Sequence, residues 1–377
     1  MRHANIAVVV LIGLNGIQLR ADEPNVSASD FAKVVAAEFK KWDRNNDGQI
    51  DKAELEAQIA DSRVTGKQAA ALAAIAGYQC RPGEKRKTLP LDFFLREAMK
   101  PTAREVEPPF EVRYRDALFR IENVSRVLFG PGAPSALQVQ QGHIGDCFFV
   151  AIVGAVAERN PESIRRWIDP QPDKSANVRF PLGAQATVRT LTDAEIALTS
   201  FAGKQGMWIN VLEKAFGSVM ETAFPNPNLG DPLEAIAFGG SPIQTIRLMT
   251  GHDCLAIALR TPEQKPLDSA RINSLTPQVR AILEDCHNNK RVACAGSPRS
   301  DNPPGLTPQH AFAVLGFDQK TGVVQLWNPH SNQFQPAAES SLKNGYKTQH
   351  GRFEMSLADF MQVFYFLAYE SAANSSP

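Results

Sequence analysis

The stretch Gln141-Gly-His-Ile-Gly-Asp-Cys-Phe-Phe-Val-Ala-Ile-Val-Gly-Ala-Val-Ala157 decides how this chain is read. From Cys147 onward it is almost wholly apolar, which predicts a helix buried on all sides. Gly142 and Gly145 stand in the turn before it, and Asp146 directly precedes the thiol. Cys147 therefore opens the helix, where unpaired amides and the positive end of the macrodipole stabilise a thiolate and lower its pKa. Upstream, the side-chain amide of Gln141 is suited to donate to a developing oxyanion. A lone buried cysteine is ordinarily packing. The Gly-Asp-Cys start and the upstream glutamine argue instead for a nucleophile.

Two later segments supply partners for that thiol. Gln309-His-Ala-Phe-Ala-Val-Leu-Gly-Phe-Asp318 reads as an apolar strand entered from a Pro-rich loop, with His310 at its mouth, placed to act as general base. Gly322-Val-Val-Gln-Leu-Trp-Asn-Pro-His330 reads as a second strand, and Asp318-Gln-Lys-Thr-Gly322 as the turn of a hairpin. The hairpin brings Asn328 near His310, where its carbonyl can orient the imidazole without a buried carboxylate. Cys147, His310 and Asn328, in that chain order, form a papain-type set.

The composition sets the outer bounds. The chain has 377 residues, 43% of them hydrophobic, enough for two to three domains around sizeable cores. Forty basic residues balance forty acidic ones, which excludes the basic surface of a dedicated nucleic-acid binder. Residues 1–21 read as an export signal: the apolar run from Ile6 to Leu14 is too short to span a bilayer. An exported product (periplasmic or extracellular), with no stable membrane insertion after signal removal, is the expectation. The five cysteines are an odd number, so at least one thiol stays outside any intramolecular disulfide. His252-Asp253-Cys254 and Cys286-His287 lack the paired spacing of a zinc site and read as strand or loop residues.

Residues 43–54 read Asp-Arg-Asn-Asn-Asp-Gly-Gln-Ile-Asp-Lys-Ala-Glu. Side-chain oxygens recur at Asp43, Asn45, Asp47 and Asp51, Gln49 offers its backbone carbonyl, and Glu54 closes the loop, while Gly48 takes the sharp turn. The helix entering this loop carries Phe31, Val35, Phe39 and Trp42 at near-helical spacing, with Ser29 as its N-cap. The segment resembles an EF-hand, which implies calcium as ligand. A partner hand is expected from the Ala-rich helix over 67–79 and the helix over 91–99. The loop between them, at 80–89, lacks the carboxylates and reads as degenerate.

The rest of the chain resembles the calpain protease core over residues 113–372. Gln141-Gly-x-x-Gly-Asp-Cys147 is similar to that family's nucleophile motif, with Phe148 where the family usually has Trp. Met207-Trp-Ile-Asn-Val-Leu-Glu-Lys-Ala-Phe216, Glu234-Ala-Ile-Ala-Phe-Gly-Gly-Ser241 and Gly351-Arg-Phe-Glu-Met-Ser-Leu-Ala-Asp-Phe360 resemble its later motifs, in the same order. The resemblance implies Cys147 as nucleophile, His310 as base, Asn328 as orienter and Gln141 as oxyanion donor, with Gly240 and Gln309 on the substrate cleft. It departs from the family at Gln309, where Gly is usual, and at His330, where a Trp usually shields the His–Asn bond.

Taken together, these readings predict an α+β fold. A helical EF-hand pair (28–99) and a linker (100–112) precede a papain-like core of two subdomains. The first, largely helical (113–240), carries the nucleophile; the second, β-rich (241–372), carries His310 and Asn328. The expected activity is endopeptidase cleavage of polypeptides through a thioester, with calcium at the N-terminal loop. The resemblance also implies that a core calcium site would need acids where Gln138 and Gly206 stand, so calcium should not assemble the core from within. Alternatives are an inactive calcium-binding scaffold of the same fold and a transglutaminase-type acyl transferase, against which Asn328 counts.

Overall fold

Residues 311–318 alternate small and large apolar side chains, and this alternation decides how the layers stack. The computed structural model describes residues 29–79, 88–98, 109–224 and 231–374. The expected signal, the degenerate loop over 80–87 and the linker as far as 108 lie outside the described residues.

The described residues begin with α1 (Asp30–Trp42), β1 (Gln49–Ile50), α2 (Lys52–Ile59), α3 (Gly66–Gln79), β2 (Leu89–Pro90) and α4 (Leu91–Glu97). Ser29 caps α1 by accepting from the Ala32 N–H, and Phe31, Val35, Phe39 and Trp42 bury its inner face. Asp51 and Glu54 form a reciprocal capping box on α2. β1 and β2 pair antiparallel, Gln49 opposite Pro90 and Ile50 opposite Leu89, which ties the two helix–loop–helix units together.

Next come α5 (Phe110–Asn123), α6 (Cys147–Arg159), α7 (Pro161–Trp167), the three-stranded sheet β3 (Ile168–Pro170), β4 (Ala176–Arg179) and β5 (Gln185–Val188), then α8 (Asp193–Leu198) and α9 (Trp208–Ala223). The sequence reading ran the linker to residue 112, but α5 begins at Phe110. Pro109, which has no N–H to lose, sits at its N-cap. Glu111 then accepts from Ser29 Oγ at 2.5 Å and from the Phe31 N–H at 3.0 Å, so α5 is anchored to the N-terminal helices. Phe110 stacks on Phe31 with ring centroids 5.0 Å apart.

The last third holds α10 (Pro242–Thr250), β6 (His252–Ala258), α11 (Ser269–Asn288), β7 (Ala293–Gly296), β8 (Ala311–Asp318), β9 (Val323–Trp327), β10 (Arg352–Ser356), α12 (Leu357–Val363) and β11 (Phe366–Asn374). Six strands form one antiparallel sheet in the order β10-β9-β8-β7-β11-β6. β8 and β9 form the expected hairpin, with a register shift between Val314 and Gly316. Phe312, Val314 and Phe317 face one side and pack with Leu275, Val279 and Leu283 of α11. Ala311, Ala313 and Leu315 face the other side, in the core that holds α6. The small residues let α6 come close. At Gly154 an added Cβ would lie 2.4 Å from Cζ3 of Trp327, so only glycine fits against that ring.

The N-terminal helices dock on this core. Thr192 Oγ1 donates to the Ile59 carbonyl at 2.6 Å, and the Gly66 N–H donates to Asp193 at 2.8 Å. Lys52 pairs with Glu234 at 3.0 Å. Leu55, Ile59 and Ala76 share an apolar pocket with Ile144, Leu198 and Leu233, so α2 and α3 lie against the turn that leads into α6. Among the described residues no helix is long and apolar enough to cross a membrane.

Gly154→Ala is expected to destabilise the protein by about 1–3 kcal/mol, because the Trp327 ring has to move out of a packed layer. Chemical denaturation of the variant checks this, and an unchanged midpoint would show that the helix–sheet contact yields without cost.

Candidate active site

The described thiols are Cys147, Cys254, Cys286 and Cys294, all free. Cys80 lies outside the described residues. Cys147 is the first residue of α6 and is half-buried, whereas the other three are buried. Its sulfur is approached by the backbone N–H groups of Ala311, Phe148 and Cys147 itself, which favour the thiolate. Burial and the neighbouring Asp146 carboxylate act the other way, and burial is the largest effect, pushing the thiol up to about 11. The helix N-terminus was expected to lower this pKa. Its influence is present but is outweighed by desolvation.

Ala311, which touches the sulfur, follows His310. The sulfur and the imidazole are therefore presented by adjacent elements, the start of α6 and the start of β8. His310 is buried, and its Nε2 donates to Asn328 Oδ1 at 2.9 Å. That bond leaves Nδ1 as the basic nitrogen. Burial and the neighbouring His330 hold the imidazole well below its ordinary range, against the opposing effect of the Asn328 bond. Asn328 is fixed in turn by Thr307, whose Oγ1 accepts from Nδ2 at 3.1 Å, and by the backbone of Gly351. Thr307 was not singled out from sequence, since nothing in a Pro-rich loop marks one threonine as a partner.

His330 packs on His310 with ring centroids 4.2 Å apart and a 36° tilt, and its N–H donates to Asn328 Oδ1 at 3.0 Å. The smaller imidazole thus occupies the flank of the His–Asn pair. Gln309 adopts φ +49°, the left-handed region where a glycine sits without strain. Gly240 is exposed, and a Cβ on it would meet the Phe148 ring at 2.3 Å, which keeps this wall of the site bare.

Gln141 is buried, and its Nε2 donates to the Ile144 carbonyl at 3.0 Å and to Asp146 Oδ1 at 3.1 Å. Both amide hydrogens are thus held by its own turn, and Oε1 has no hydrogen-bond partner. Gly206, where the resemblance would place a metal-binding acid, has φ +90° and stands against the Val127 and Leu128 carbonyls. An added Cβ would lie 2.5 Å and 2.7 Å from those oxygens, so no carboxylate side chain fits there. Gln138 closes a short 3-10 turn, Ala136–Gln138.

The N-terminal loop turns its oxygens inward. Asp43 accepts from the N–H groups of Asp47 and Gly48, at 3.1 and 2.9 Å. Glu54 accepts from Arg44, Asn45 and Asp51, at 2.7, 3.1 and 3.0 Å. Asn45 Oδ1 accepts from Asp47, and Asp47 Oδ1 from Gln49. Gly48 takes φ +81° at the sharp turn. Among the described residues no three His, Cys, Asp or Glu side chains stand together as a metal-holding group. The donor set is all oxygen, which suits a hard cation, and Glu54 would have to trade its backbone N–H bonds for the metal.

A thiol opening a buried helix, beside an imidazole held by a carboxamide, defines the class of papain-like cysteine hydrolases. Residues 120–369, more than half of the chain, match the family described as "Calpain family cysteine protease", and the chain belongs to that family. It is 24% identical over 263 residues to the "Calpain-type cysteine protease ADL1" of Oryza sativa subsp. japonica, covering 62% of this chain. The match spans only 11% of that relative's length.

Iodoacetamide is expected to alkylate Cys147 ahead of the other three described thiols, which are buried and likewise pushed up, Cys254 and Cys286 to about 12. The rate should still climb between about pH 7 and about pH 10, because the thiolate forms late. Peptide mapping checks the order, and a plateau below neutral pH would show a preformed thiolate instead. His310 shifts in the opposite direction. Its folded pKa lies below the unfolded one, so its contribution to stability is present above about pH 6.5 and is lost as pH falls through the lowered value.

Proposed function

We propose that this chain is a cysteine endopeptidase of the calpain type, acting on unfolded or extended polypeptide. The observation that carries the reading is the buried His310–Asn328 pair beside the helix that starts at Cys147. The Sγ proton passes to His310 Nδ1 as sulfur attacks the scissile carbonyl carbon. The tetrahedral oxyanion is received by the Cys147 N–H at the helix N-terminus, and by Gln141 once that side chain gives up one of its two bonds. Collapse releases the amine, which takes the proton from His310, and leaves a thioester. Water, activated by the same imidazole, then frees the acyl group and regenerates the thiol. Gly240 offers exposed backbone to the substrate, and Gln309, directly before His310, is the other residue proposed to contact it. The neutral resting pair means that deprotonation of sulfur accompanies attack.

A calcium ion held by Asp43, Asn45, Asp47, the Gln49 carbonyl, Asp51 and Glu54 completes the proposal, as the ligand of an EF-hand loop whose partner hand is degenerate. When bound, it supplies charge that tightens the loop between α1 and α2, and it takes no part in the chemistry. Because α2 is docked behind the nucleophile turn, that tightening is transmitted through the contacts of Lys52, Leu55 and Ile59.

Cys147→Ser and His310→Ala are each expected to abolish cleavage of unfolded casein with the fold retained by circular dichroism, and undiminished cleavage by Cys147→Ser would remove the protease reading. Failure of the native chain to cut casein, with or without calcium, would favour the inactive scaffold. Glu54→Gln should eliminate calcium binding by calorimetry while Cys147-dependent cleavage persists at least in part. Retained binding in that variant would move the ion elsewhere.

A further inference from the structure

Asp146 occupies the N-cap of α6 yet makes no side-chain capping bond to the helix. Its carboxyl is fully buried and points elsewhere: Oδ1 accepts from Gln141, and Glu213 stands within hydrogen-bonding reach of the group. Glu213, on α9, is also fully buried. Its two oxygens accept from the Ser200 N–H at 3.0 and 2.8 Å, and one of them from Ser200 Oγ at 3.0 Å. The second oxygen of Asp146 has no donor at all if both acids are ionised.

Nearby charges do not neutralise this pair. Lys214, the next residue on α9, is held by Glu195 of α8 at 3.0 Å and Asp231 at 2.6 Å. Arg120 of α5 spends its donors on Asp116 and on the Gln140, Thr199 and Gln141 carbonyls, and His143 Nε2 lies 2.9 Å from Asp116. Across the turn stand Cys147 and His310, a thiol and an imidazole whose charged forms burial disfavours. Among the described residues neither carboxyl has a cationic partner. Two hydrogen-bonded carboxyls out of reach of water and cations cannot both ionise, and they keep one proton between them.

We infer that Glu213 is a positioning residue that carries this proton at neutral pH and donates it to Asp146, so that the carboxyl–carboxylate bond fixes the turn presenting Cys147. Burial and the Asp146 charge both raise the Glu213 pKa, in agreement with that assignment. The bond adds a carboxyl link to a junction otherwise held by backbone pairing and by Arg120, whose guanidinium reaches the Gln140, Gln141 and Thr199 carbonyls. Gln140 pairs with Phe201, and the His143 N–H donates to Leu198, on either side of the Thr199–Ser200 step that Glu213 and Asn210 hold. With Asp146 ionised, Gln141 Nε2 keeps two acceptors in its own turn, Asp146 Oδ1 and the Ile144 carbonyl. The sequence motif around Glu213 thus gains a role that neither the nucleophile nor the base explains.

The test uses the full chain and the variants Glu213→Gln and Glu213→Ala. Infrared difference spectra at neutral pH should show the carbonyl stretch of a protonated carboxylic acid in the native protein and its loss in Glu213→Gln. The thermal stability gap between Glu213→Gln and the native protein should widen in favour of the variant as pH rises above the ordinary carboxylate range, because folding of the native protein has to take up a proton at Glu213 that the amide does not need. In casein cleavage, Glu213→Ala should lower kcat by roughly 10²-fold with little change in KM, as a displaced nucleophile does. Glu213→Gln should recover most of that loss, since its N–H still reaches Asp146. The kinetic readout rests on the peptidase reading above, whereas the infrared and stability readouts do not, so the two failures are distinguishable. Absence of the acid band in native protein, a stability gap that ignores pH, or native kcat in Glu213→Ala would each overturn the inference. If Glu213→Ala does not fold, the infrared and pH measurements on Glu213→Gln decide.

Discussion

The close approach of α6 to the six-stranded sheet, at Gly154 against Trp327, is the contact on which the rest of the site depends. Helix and sheet carry different parts of the site: Cys147 opens α6, His310 precedes β8, and Asn328 follows Trp327 at the end of β9. Their relative placement is set by how near the two layers come. Ala311 and Ala313 on the facing side of β8, and glycine at 154, remove the side chains that would hold the layers apart. The same indole that fills the gap precedes Asn328, the hydrogen-bond partner of His310. A change of a single methyl group in this layer therefore bears on stability and on site geometry together.

Dense packing also sets the electrostatics. The thiol is pushed up and the imidazole down by the same cause, removal from water, which favours the neutral form of each. The N–H groups of Ala311, Phe148 and Cys147 around the sulfur are fixed dipoles that become effective as charge appears on it. A neutral site is compatible with a buried acid pair next door, because no cation is available to stabilise a second negative charge. His330 fits this arrangement: as an imidazole against His310 it adds a further polar ring where the family's usual residue is a larger apolar one.

Much of the site could be read from local pattern. The apolar run after Gly145-Asp146 specified α6 to its first residue, and the alternation after His310 with the turn at 318–322 specified the β8–β9 hairpin. These signals are strong because burial and turn chemistry act within a few residues. Three things were not legible. The start of α5 at Phe110 was hidden by prolines that here sit before the helix rather than inside it. The docking of α2 and α3 on α5 and α8 depends on contacts such as Thr192 to Ile59, distant in sequence and individually unremarkable. The engagement of Gln141 by Ile144 and Asp146, and the net upward shift of Cys147, follow from three-dimensional burial that motif spacing does not encode. Positive φ at Gln309 explains after the fact why glycine is usual there.

The central claim is that this helix–sheet contact makes Cys147 a nucleophile served by His310. Single-turnover reaction with an activated peptidyl ester, quenched in acid and mapped by mass spectrometry, tests it most directly. The account predicts a thioester on the peptide that contains Cys147, formed far more slowly in His310→Ala and absent in Cys147→Ala. Acylation of Cys254, Cys286 or Cys294 instead, or an equal rate in His310→Ala, would contradict it.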